Sequence, residues 1–166
     1  MNIAIYYSIG LLTSASVVVQ SNIDRLRQNY PLAIKDKEVC KTEIDRLQDT
    51  KATDPLEIAY QGAYQMVWAD HLTTPISKLN SFKAGKQLID AALKQRYGDP
   101  EIHFLRLTIQ KNAPAILKYN KDISEDTQQI VKHWDSIGSS KLKKQIKDFL
   151  VANDLVDSKV LSGLKS

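Results

Sequence analysis

LIDAALKQRYGDPEIHFLRLTI, residues 88–109, holds two amphipathic helical patterns laid end to end with one break between them. Before the break, Leu88, Ile89, Ala92 and Leu93 recur at the three- and four-residue steps that gather apolar side chains on one helical face. After it, Ile102, Leu105 and Ile109 repeat the pattern, with Phe104 and Leu107 beside them. The break itself is Gly98-Asp99-Pro100. Glycine suits the left-handed position that closes a helix, and an Asp-Pro step starts the next one. Consecutive helical hairpins change from one unit to the next in this way. DPLEI at Asp54 and DPEI at Asp99 echo each other, but two copies of so few residues define no repeat array.

The same grammar extends in both directions. Asp54 caps, Pro55 fills the first helical position and Glu57 sits three residues past the cap. Leu56, Ala59, Tyr60, Ala63 and Val67 then form a stripe that Ile58, Met66 and Trp68 widen, so this helix is expected to be buried on more than one side. Upstream, Ile23, Leu26 and Tyr30 are followed by Ala33, Cys40, Ile44 and Leu47, with a kink or restart expected at Pro31 because it lacks an amide to donate. Residues 48–53 read as a loop. Thr74 and Pro75 are expected to end a second loop, a short turn leads to Phe82, and the following helix spans 83–97. Downstream, Pro114 interrupts and Asp122 with Glu125 makes a capping pair. The next helix carries Ile123, Ile130, Trp134 and Ile137 and is closed by Gly138; the last carries Leu142, Ile146, Phe149 and Leu150. No run alternates long enough to demand a strand. The expected fold class is all-α, as stacked helical hairpins (TPR-like) or, second, a small helix bundle.

With 166 residues the chain suits one domain, and 43% hydrophobic with 25% charged residues is ordinary globular composition. The net charge of +4 comes from 23 basic and 19 acidic residues of mixed placement. Its one dense basic run, Lys141, Lys143, Lys144 and Lys147, is interrupted by Leu142 and Ile146 and reads as the solvated side of a helix. Arginine and aromatic residues do not interleave with it, so nucleic acid is not an expected partner. Cys40 is the single cysteine, which rules out an internal disulfide; it reads as a buried structural thiol.

Residues 1–20 contain no charged side chain. The apolar run IAIYYSIGLL (3–12) followed by Thr13, Ser14, Ala15 and Ser16 has the outline of a secretory signal peptide, although no lysine or arginine precedes it. Cleavage after Ala15 or near Val19–Gln20 fits equally. The competing readings are an uncleaved membrane anchor and a buried N-terminal helix of a cytoplasmic protein. The expected organisation is therefore a signal peptide over 1–20 and a single helical domain over 21–166. The product would be periplasmic or secreted, with no stable membrane span after cleavage.

AYQGAYQMVWADHLTTPISKLNSFKAGKQLID (59–90) and EIHFLRLTIQKNAPAILKYNKDISED (101–126) resemble a family of short exported bacterial helical proteins with no assigned activity. The similarity runs from about Asn22 to Phe149 and includes DKEVCKTEI (36–44) around Cys40. Members of that family start with a signal peptide, so the resemblance implies an exported helical domain. His103 stands where the family pattern has an arginine, and the resemblance supplies neither a reaction nor a catalytic residue.

Candidate chemistry is sparse. Asp70 and His71 are adjacent and cannot face each other on a helix, so His71 is expected to meet terminal carbonyls. His103 and Arg106 lie one turn apart and would make a small cationic face for a carboxylate or phosphate; alternatively, Arg106 pairs with an acid from a neighbouring helix and orients the packing. No metal-ligand spacing, nucleophile elbow, P-loop or dinucleotide fingerprint is present, and no cofactor, metal or catalytic residue is assigned. In FKAGKQ (82–87), Gly85 reads as a position of close helix packing.

The remaining candidate surface is aromatic and polar: Tyr60, Tyr64 and Trp68 at four-residue steps, then Asn80, Lys86, Arg106, Gln110 and Asn112. Lining a concave groove, these residues would suit a peptide or glycan segment; otherwise the aromatic stripe is core. The expected function is a non-enzymatic module that binds a protein or peptide in the periplasm or cell envelope. Two alternatives remain open. One is an enzyme with a site near His71, His103 or Arg106. The other is a carrier of a small apolar ligand with Tyr64, Met66 and Trp68 around an internal cavity.

Overall fold

Side-chain caps open most of the helices in the computed structural model, which describes the backbone of residues 11–165 and the side chains of residues 22–165. The helices are α1 (Leu11–Ala33), α2 (Lys37–Asp49), α3 (Pro55–His71), α4 (Pro75–Gln95), α5 (Pro100–Asn112), α6 (Ile123–Lys132), α7 (Ser140–Ala152) and α8 (Ser158–Gly163). Short 3-10 turns occupy Ala115–Leu117 and Trp134–Ser136. Among the described residues there is no strand, and the fold is all-α. The leader expected over 1–20 falls largely outside the described residues.

Three local expectations are corrected. α4 begins at Pro75, not near residue 83, because the Thr74 hydroxyl accepts from the Ser77 amide and proline then occupies the first turn. Gly98 and Gly138 do not take the left-handed conformation, which instead occurs at Lys51, Lys118 and Asp154. Asp122 precedes α6 without a side-chain cap bond, since its φ of −101° and ψ of 9° turn the carboxylate away from the first-turn amides. The interruption expected at Pro31 falls in the last turn of α1, which ends at Ala33.

The helices pack as successive pairs, α1 with α2, α3 with α4 and α5 with α6, while α3 also touches α1, α2 and α5. Apolar side chains form two clusters. The larger gathers α1 to α5 around Leu26, Tyr64, Ile89, Ile102 and Leu105, together with Tyr119. The smaller joins Leu107 to Ile130, Trp134, Ile146 and Leu150. α5 therefore faces both, with Ile102, Leu105 and Ile109 on one side and Phe104 and Leu107 on the other.

α3 and α4 approach backbone to backbone at Gly62 and Gly85. A Cβ on Gly85 would lie 2.4 Å from the Gly62 carbonyl oxygen, and one on Gly62 would lie 2.6 Å from the Gly85 oxygen. Polar clasps bind the pairs together. Arg27 on α1 donates twice to Glu101 on α5, at 2.8 and 2.6 Å, and the Tyr60 hydroxyl of α3 donates to the same carboxylate at 2.7 Å. Glu43 on α2 is buried and accepts from Arg25, Asn29 and Arg46.

Cys40 is fully buried, and its thiol donates to the Tyr64 carbonyl at 3.5 Å. Burial pushes the thiol up to about 12, and the thiolate is the reactive form. At pH 8 the native protein is expected to resist dithiobis(nitrobenzoate) and to titrate one thiol after denaturation. Rapid native labelling would contradict the burial.

Candidate functional site

The sequence-derived groove residues do not meet on one surface. Tyr60 and Tyr64 are core residues, because the face of α3 that carries them packs against α1 and α5. The Tyr64 hydroxyl donates to the Leu26 carbonyl at 2.9 Å, and both rings meet Tyr30 edge-on. Burial raises the Tyr60 and Tyr64 hydroxyls well above the ordinary tyrosine range, with the Glu101 carboxylate adding to the rise at Tyr60. Trp68 is half-buried beside His71, with the Lys37 ammonium 5.5 Å from its ring. Asn80 is exposed on α4, and Lys86 pairs with Asp90 and lies 6.0 Å from the Tyr119 ring. The aromatic stripe is core.

Arg106 and Gln110 belong to a second sealed arrangement. Asp126 on α6, fully buried, accepts from His103 Nδ1 at 2.6 Å, Arg106 Nε and Nη2 at 3.0 and 2.7 Å, and Gln110 Nε2 at 2.5 Å. His103 Nε2 donates to the Tyr97 carbonyl at 2.6 Å. Burial alone would lower the Arg106 value, but the hydrogen bonds and charge of Asp126 outweigh it and raise the guanidinium. This is the structural alternative foreseen for Arg106: an ion pair that joins α5 to α6.

His71 lies elsewhere, with Nε2 donating to the carbonyl of Ala33, the last residue of α1, at 2.8 Å. None of His71, His103 and Arg106 lines the apolar cleft formed by the ends of α1, α3 and α5 and the start of α4. Among the described residues no group of three His, Cys, Asp or Glu side chains is placed to hold a metal ion.

The feature that sequence reading missed is an apolar cleft of about 560 Å³. Its walls come from the end of α1, the last turns of α3 and α5, the first turns of α4 and the Ala115–Leu117 turn. Tyr30, Met66, Leu79, Phe82, Ile109 and Ile116 supply much of the lining. Of the eight residues proposed for the groove, Asn112 alone borders this cleft.

Tyr30, Thr108 and Asn112 in the wall already have hydrogen-bond partners. The Tyr30 hydroxyl lies 3.3 Å from Thr108 Oγ1, which donates to the Leu105 carbonyl, and Asn112 donates to the Thr108 carbonyl. Burial pushes the Tyr30 hydroxyl up to about 12, so it stays neutral. The lip is unusual. Ile116 is 87% exposed and Ile76, beside the lining residue Pro75, is 74% exposed; Leu32, Ile34 and Leu79 are also exposed in the bordering segments. Of the seven large exposed hydrophobic side chains among the described residues, Ile34, Leu79 and Ile116 line this one feature, the pattern expected of an interaction face.

A signal was present in the sequence: Ile76 follows Pro75 at a helix start, and Ile116 lies two residues after Pro114. Neither belongs to a helical stripe that could bury it. No helix among the described residues is long and apolar enough to cross a membrane. Compared with known proteins, the chain matches no family model, no curated protein and no solved structure.

Proposed function

We propose that the protein is a non-enzymatic interaction module of the cell envelope, and that its working face is the apolar cleft. The observation that carries this reading is the gathering of Ile34, Leu79 and Ile116, all exposed, around a hollow in which Tyr30, Thr108 and Asn112 already have hydrogen-bond partners. The occupant is a protein or peptide segment that offers apolar side chains. A small ligand seated in the hollow would leave much of Ile116 in water, whereas a partner segment covers it. Placement in the envelope is supported by the uncharged apolar stretch at residues 3–12 and the small residues after it.

A carrier of a small apolar ligand is the second reading. It is favoured by a cleft volume within the range of ligand sites, about 300–1,000 Å³, and by Met66 in the lining. Titration with a dansylated amphipathic Leu/Lys/Glu peptide and, separately, with anilinonaphthalene sulfonate distinguishes the two. The peptide is expected to bind saturably, and Ile116→Asp to weaken it by about tenfold or more at unchanged thermal stability. Dye binding without peptide binding would transfer the conclusion to the carrier. Binding of neither would remove the cleft as a functional face.

A further inference from the structure

The cleft's rim carries two charges that its own fold does not use. Asp70 and Lys78 both line it, both are exposed, and neither makes a side-chain hydrogen bond or ion pair with any described residue. Each also stands at the unfavourable end of its helix. Asp70 is in the last turn of α3, where backbone carbonyls concentrate negative charge, and Lys78 is in the first turn of α4, where amides concentrate positive charge. Folding of the monomer therefore gives no reason for either. A partner of one sign would satisfy one of the two and repel the other.

A second copy of this chain satisfies both. If Asp70 of one copy meets Lys78 of the other across a two-fold axis over the cleft, the symmetry repeats the contact and satisfies both charges of both copies. The apolar relief offers both halves of such a contact: each copy presents a hollow and, on its lip, Ile116, which is 87% exposed. Seventeen residues line the cleft, short of the roughly 20–30 per side in a stable interface. That size fits a weak, reversible association.

We propose that two copies cap each other's clefts in this way, so that self-association and binding of an apolar partner exclude one another. This rests on the cleft being the binding face and adds its regulation.

Sedimentation velocity on the full chain, from micromolar to millimolar concentration, tests it. Wild type is expected to shift reversibly from monomer to dimer, with dye bound per chain falling as the dimer forms. Asp70→Lys and Lys78→Asp are each expected to weaken the dimer by about tenfold or more. Neither should lower the thermal stability of the monomer, because each removes an unfavourable dipole contact. An equimolar mixture of the two variants is expected to recover the dimer, since each then carries the charges the other lacks. Wild type monomeric throughout, or a dimer indifferent to both reversals, would overturn the proposal. If dye and peptide still bind that monomer, only the self-association fails; if they do not, the cleft reading fails with it.

Discussion

Gly85→Ala is expected to destabilise the protein by about 3 kcal/mol, the upper part of the range for overpacking a core. The added methyl would stand 2.4 Å from the Gly62 carbonyl oxygen, 2.4 Å from Met66 Cγ and 2.9 Å from the Met66 amide nitrogen. Met66 can turn its side chain aside, but the two backbone atoms cannot yield without moving α3 from α4. Gly62→Ala meets the reciprocal obstacle at the Gly85 oxygen and Ile89. Once one methyl has forced the helices apart the second needs less, so the double variant is expected to lose less than the sum of the two. Gly163→Ala, with nothing within 4 Å of its Cβ position, is the control and is expected to change little. Urea unfolding of the four variants measures this. A loss at Gly85 no larger than at Gly163 would show that the helices are not in backbone contact.

The second large effect is expected at Asp126. Asp126→Ala removes the carboxylate that His103, Arg106 and Gln110 share, leaving a buried guanidinium whose next acids, Asp122 and Glu125, are 3.7 and 3.9 Å away. Breaking a buried pair from one side costs about 3–5 kcal/mol, and the neighbouring acids place this case toward the lower figure. Replacing both partners, Asp126→Leu with Arg106→Met, is expected to cost less than Asp126→Ala alone, because no unpaired charge remains. Denaturant midpoints decide it. A single variant within about 1 kcal/mol of wild type would mean that water already reaches this cluster.

The pattern of helices was legible because Asp54-Pro55 and Asp99-Pro100 combine a cap with a proline in the first turn, and both open helices as expected. The start of α4 was misplaced because Ile76 and Leu79 are exposed; with its first turns apolar on the outside, the segment shows no inward stripe. The same exposure hid the cleft. Periodicity reports which side chains a helix buries, and Ile76 and Ile116 are ones it does not bury. Tyr60 and Tyr64 misled for the opposite reason: a four-residue aromatic step describes core and groove alike, and only the position of α3 between its neighbours decides. Partnership of Arg106 with an acid was readable as a type of contact, but Asp126, twenty residues away, could be chosen only in three dimensions.

The position of α5 between two apolar clusters has a consequence in time. Every helix that encloses the larger cluster leaves the ribosome before α6, yet Phe104 and Leu107 on the outer side of α5 wait for residues up to Leu164. At about 5–20 residues per second that is roughly 3–11 s of synthesis with an apolar strip uncovered. His103 and Arg106 wait on the same helix for the carboxylate of Asp126. The last third of the chain is thus the roof over a helix already in place, and the nascent protein is most exposed to misassembly before that roof arrives.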